Sequence, residues 1–222
     1  MKGIFSAVAV FLAVSAGFPP AAHACAPPSY DTPFIASART LNPDGTWRTV
    51  RISAYGFDED QRNPVGSMYW LRIEAADARS STGHLAAILD IDRGSAQLFP
   101  SGRARSAADR VYWVSSMQAA ATQFGLSTGF IDPDRAWDTE YPGGPEIRRY
   151  ANRPCAFHTE ASGAWSCFDQ VGVPLAMGPR VGEISFRVVW LREEQQRSTS
   201  FAVPSGYVRL ERPPASMQGV TC

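Results

Sequence analysis

Alternating apolar and polar positions dominate this chain. From Trp47 to Tyr55, Val50, Ile52 and Ala54 fall on one side and Thr49, Arg51 and Ser53 on the other, the period of two that a half-buried strand requires. Met68 to Ala75 repeats the pattern, with Tyr69, Leu71 and Ile73 inward and Arg72 and Glu74 outward. Leu85 to Ile91 is almost continuously apolar, which predicts a strand covered on both faces, and Asp92-Arg93-Gly94-Ser95 turns the chain into Ala96 to Phe99. Near the C-terminus Ile184, Phe186, Val188 and Trp190 alternate. A polar turn at Glu193 to Arg197 follows, and Thr199 to Val203 and Tyr207 to Glu211 read as return strands of a late β-hairpin.

One helix interrupts the strands. Ser115 or Ser116 can accept from its first free N–H groups, Met117, Ala120, Ala121 and Phe124 share one helical face, and Gly125 supplies the stop. Gly125 to Pro154 is rich in Gly, Pro and charge and reads as a long surface excursion with single helical turns at Pro133 and Pro145. Many short strands with frequent turns predict a mainly β fold: an antiparallel β-sandwich or related β-rich fold with one helix and a long irregular excursion.

The ends of the chain add a compartment. Lys2, the apolar run Ile4 to Phe18 and the small residues Ala22 and Ala24 form a secretory signal peptide over residues 1–24, too short to be a transmembrane anchor. The expected mature chain, residues 25–222, is then one β-rich domain beginning at Cys25. Lipidation of that cysteine would favour a large aliphatic residue where Ala22 stands, and it would leave an odd thiol. Four cysteines in an oxidising space predict two disulfides, and the preferred pairing is Cys155 with Cys167 and Cys25 with Cys222. In the segment Pro154 to Phe168, a turn around Glu160 to Gly163 would set Cys155 opposite Cys167 and Phe157 opposite Trp165.

Charge and chemistry narrow the function less. Lys2 is the one lysine, so 21 − 1 = 20 arginines face 21 acidic residues, and no basic excess points to nucleic acid. The histidines after the leader, His84 and His158, lack the neighbours of a metal site, and no Gly-x-Ser-x-Gly stands between a predicted strand and a predicted helix. His84 with Asp90 or Asp92 remains open as a triad fragment, because a triad follows geometry and not sequence order. The carboxylates at Asp58-Glu59-Asp60 and at Asp132, Asp134 and Asp138 lack the glycine and distal Glu of an EF-hand, and solvated turns or a helix cap account for them. No metal or cofactor is implied.

Aromatics are the remaining lead. Trp137 and Tyr141 lie in the excursion with Arg149 nearby, a composition suited to recognition, and these three are the expected binding residues. The expected function is an exported, periplasmic or extracellular binding domain that recognises a protein or glycan in the cell envelope. One version is an inhibitor of a secreted hydrolase. The alternative is a secreted hydrolase acting on envelope polymers through carboxylates such as Asp90, Asp92 or Glu160.

Overall fold

The computed structural model describes residues 33–55, 70–91, 93–126, 146–170 and 173–217. In chain order these form β1 Phe34–Leu41, β2 Trp47–Tyr55, β3 Trp70–Ala76, β4 His84–Asp90, β5 Ser95–Pro100, β6 Val111–Ser116, α1 Met117–Gln123, β7 Glu146–Tyr150, β8 Arg153–Thr159, β9 Trp165–Phe168, β10 Pro174–Gly178, β11 Phe186–Glu193 and β12 Val208–Leu210. The β-rich expectation holds, with one α-helix among the described residues. The described strands form one twelve-stranded sheet in the order β12-β6-β5-β4-β3-β2-β1-β11-β10-β9-β8-β7. Every neighbouring pair is antiparallel except β12 and β6.

Alternation puts a continuous apolar layer on the inner face. Ala36, Val50, Ile52, Leu71, Ile73, Leu85, Leu89, Leu98 and Phe186 are buried there together with Ala120, Ala121 and Phe124 of α1. The helix forms where capping and periodicity place it: the Ser116 side chain accepts from the Ala119 N–H at 3.2 Å, and Gly125 ends it at φ +68°. On the outer face Ile35 of β1 and Ser53 of β2 are buried, and a further apolar patch covers β3 to β6. There Ala86, Ile88 and Phe99 pack beneath Phe201, with Tyr55, Trp70, Tyr112 and Tyr207 around them. The near-continuous apolar run of β4 is thus buried on both sides, as its sequence requires.

Several expectations are corrected. Thr199 to Val203 is not a return strand, because Ser198–Phe201 is a short 3-10 turn that lowers Phe201 onto the outer apolar patch. The late hairpin is likewise absent, since β12 crosses the sheet and pairs in parallel with β6, held by the Tyr207 hydroxyl donating to the Pro100 carbonyl at 2.9 Å. The end of the expected excursion is ordered: β7 and β8 make a tight hairpin through Ala151 and Asn152, both at positive φ.

Cys155 and Cys167 form a disulfide, with an S–S distance of 2.05 Å. The strand register around it is nevertheless shifted by two from the expected one: Phe157 lies opposite Cys167 and Thr159 opposite Trp165. Glu160 N–H donates to the Ala164 carbonyl and Gly163 takes φ +86°, so the loop holds three residues and its centre moves by one. The helical turn expected to start at Pro145 does not form, because Glu146–Tyr150 is the strand β7 paired with β8; the leader, the Cys25–Cys222 bond, the turn at Pro133 and the clusters at Asp58-Glu59-Asp60 and at Asp132, Asp134 and Asp138 lie outside the described residues.

Candidate functional site

Trp137 and Tyr141 also lie outside the described residues. Arg149 is exposed on β7, at one end of the strand order, where its Nη2 donates to the Asn152 carbonyl at 2.9 Å. Its neighbour Arg148 turns the other way, ion-pairs with Glu146 at 2.7 Å and lies 3.3 Å from the centre of the Phe157 ring. Arg149 is therefore placed on an accessible edge but is engaged with its own hairpin turn.

The carboxylates and histidines suspected of catalysis do not converge. His84 and Asp90 occupy opposite ends of β4, about 20 Å apart at the rise of an extended strand. Asp90 accepts from the Arg93 N–H at 3.1 Å and so organises the β4–β5 turn. Glu160 follows β8, seven positions from β4 in a sheet whose intervening strands alternate in direction, so it stands at the opposite end from Asp90. Asp92 lies outside the described residues. His158 pairs with Ser166 in the ladder and packs near the Phe168 ring at 6.4 Å. Among the described residues no three His, Cys, Asp or Glu side chains gather as metal ligands.

A cleft of about 520 Å³ opens between the β1–β2 turn, the β3–β4 turn and the C-terminal end of α1. Arg48 bridges it, donating to the Gln123 carbonyl at 2.7 Å with its guanidinium 5.9 Å from the Phe124 ring. Burial holds the Arg48 pKa below its ordinary value, against the opposing pull of the Asp77 charge. Arg79 grips Asp77 with a two-point fork, Nε at 2.9 Å and Nη2 at 2.6 Å. Burial pushes the Asp77 carboxyl up, yet the side-chain and backbone hydrogen bonds from Arg79 and the nearby arginine charges bring it below the usual carboxylate range. Two cations here face the two carboxylates Asp44 and Asp77, so the cleft is balanced in charge and acts as a clamp between helix and sheet.

Asp109 is a second clamped carboxylate. Hydrogen bonds from the Ser81 side chain and from the backbone N–H groups of Arg105 and Ser106 lower its pKa to about 2. Both shifts are downward, so the ionised carboxylates favour the folded state above the unfolded-chain value of about 3.9, and that contribution disappears as pH falls through the folded values. Thermal melts between pH 7 and pH 2 should fall away below about pH 4. The double variant Asp77→Asn, Asp109→Asn should start less stable and show a flatter acid limb; an unchanged limb would remove these carboxylates from the account.

The exposed chemistry is concentrated on the outer face of β2, β1 and β11, the part that Phe201 and its neighbours leave open. Adjacent ladder rows read Glu74, Arg51, Ser37, Trp190 and then Thr49, Arg39, Arg187, with Trp47 and Leu41 beyond. The guanidinium carbons of Arg39 and Arg187 lie 5.5 and 5.6 Å from the Trp47 ring centre. Glu74 stands across from Arg51 but is held by the Arg72 fork at 2.5 Å. No carboxylate among the described residues ion-pairs with Arg39, Arg51 or Arg187.

A bulge completes this surface. The β1–β11 register slips between Ser37 and Ala38, which leaves Val189 as an extra residue. The alternation expected from Phe186, Val188 and Trp190 is broken there: Phe186 and Val188 are buried, whereas Val189 and Trp190 are 51% and 46% exposed in succession. Sequence periodicity missed this because a bulge inverts the inside and outside positions that follow it. The pair Val188-Val189 before Trp190 is the local trace of the extra residue.

No protein-family model and no curated protein sequence matches the chain. Among solved structures its fold is similar to a crystal structure of MucB, at TM-score 0.46 and 13% identity over 81% of this chain and 60% of that one. It is also similar to MucB in complex with MucA(peri), at 0.44 and 15% over 80% and 56%, and to the Pseudomonas aeruginosa MucA/MucB complex, at 0.41 and 14% over 80% and 58%. The chain spans less than two thirds of the length of each of these chains. The likeness concerns the course of the backbone alone.

Proposed function

We propose that this protein is an exported, non-enzymatic binding domain that captures a protein partner in the cell envelope or outside it. One observation carries the reading: the open half of the outer sheet face combines three arginines that have no carboxylate partner among the described residues with exposed Trp190 and Val189. Aromatic and arginine side chains are the types that dominate binding energetics when a partner excludes water around them. The signal-peptide pattern of residues 1–24 and the Cys155–Cys167 disulfide support an oxidising location. An inhibitor of a secreted hydrolase is one form the partner relationship can take, since a sheet face presents its groups preorganised.

The test is a pull-down from envelope extract with the mature protein, comparing wild type with Trp190→Ala. A partner retained by the wild type and lost with the variant is the expected result. Equal retention by both, or hydrolysis of envelope polymers by the purified protein, would overturn the reading.

A further inference from the structure

We propose that the outer face of β2, β1 and β11 binds an acidic, partly apolar polypeptide segment, laid across the strands with its carboxylates on Arg39, Arg51 and Arg187 and an apolar side chain against Trp190 and Val189. This rests on the protein-binding reading above and adds the chemistry of the partner. Arg39 and Arg187 are direct cross-strand neighbours, about 5 Å apart at the backbone, and like charges in that relation repel. Both also draw near one ring, Trp47, which attracts the two cations without cancelling their charge. Arg51 sits one row along on the next strand but one from Arg187, and its natural intramolecular partner Glu74 is occupied by Arg72. The three cations therefore form a compact site that a set of carboxylates would neutralise.

Charge complementarity also argues against a uniform polyanion. Glu74 borders the patch on β3, Glu194 follows the end of β11 and is held by Arg192, and the whole chain carries a formal net charge of +0. A nucleic acid, sulfated glycan or anionic membrane would extend past three arginines and meet these carboxylates. A polypeptide can alternate, placing acidic residues over the arginines and an apolar one over the two consecutive exposed side chains of the bulge.

The probe is a fluorescein-labelled synthetic peptide in which Asp and Glu flank a central Leu, titrated by anisotropy into the full mature chain. Controls are the same peptide with Lys for every acidic residue, heparin, and phosphatidylglycerol vesicles. The wild type should prefer the acidic peptide, and raising the salt concentration should weaken binding. Arg187→Glu faces Arg39 and can form a cross-strand ion pair with it, so the variant should fold while losing roughly tenfold or more in affinity. Arg187→Lys should keep most of the binding and confirm that charge is read there. Equal binding of the acidic and basic peptides, or binding of heparin or vesicles in preference to the peptide, overturns the proposal. The pull-down separates the two levels: a partner lost with Trp190→Ala but not displaced by excess acidic peptide leaves the protein-binding reading standing and removes the acidic segment.

Discussion

Gly178→Ala should destabilise the protein by about 3 kcal/mol, at the upper end of what overpacking a well-filled core produces. A Cβ at that position would stand 1.8 Å from the Glu183 carbonyl oxygen and 2.5 Å from the Trp165 indole nitrogen. Neither neighbour can yield cheaply. The indole N–H donates to the Arg180 and Glu183 carbonyls at 2.8 and 2.9 Å, and Trp165 is itself buried between Tyr150 and Phe157, with ring centres 6.2 and 5.3 Å away. Moving the turn instead would disturb Ser185, which donates its N–H to Met177 and accepts from Leu41, and so would unsettle the start of β11. Chemical denaturation followed by tryptophan fluorescence measures the loss. Gly182→Ala is the control in the same turn: its Cβ meets nothing within 4 Å, so only the positive φ of +96° opposes it, at about 1 to 2 kcal/mol. Equal costs for the two variants would show that backbone conformation, not the Trp165 contact, governs this turn.

Removing the Cys155–Cys167 bond should cost about 3 kcal/mol, from the added freedom of the unfolded chain once the short loop is opened. For a domain of this size that lowers Tm by about 10 °C. Both cysteines are fully buried in the inner-face core, so the paired Ala variant is preferable to Ser, whose hydroxyls would be buried. The bond ties β8 to β9, and through them it supports Phe157 and Trp165, against which the Gly178 turn is built. Calorimetry of the oxidised protein, the reduced protein and the paired Ala variant should give one high Tm and two lower ones. If all three melt together, the hairpin is held by packing alone.

Much of the local structure was readable because its causes lie within a few residues. The boundaries of β2 coincide with the alternation from Trp47 to Tyr55, and α1 begins at the serine cap and ends before the glycine that its sequence names. The candidate site was far less legible. Arg39, Arg51 and Arg187 come from three segments and carry no motif; they become a site only because β1 lies between β2 and β11. Trp190 reads as a core residue by periodicity and is exposed because one extra residue slips the register beside it.

The sequence by itself determined the β-rich class, the helix, the two-sided burial of β4 and the pairing of Cys155 with Cys167, since each depends on short-range periodicity, capping or residue type. Tertiary structure alone decided the parallel crossing of β12, the separation of Glu160 from Asp90 and the gathering of Arg39 and Arg187 around Trp47. Those depend on which strands become neighbours, a choice made by covering apolar surface across the whole sheet and not by any stretch of residues in isolation.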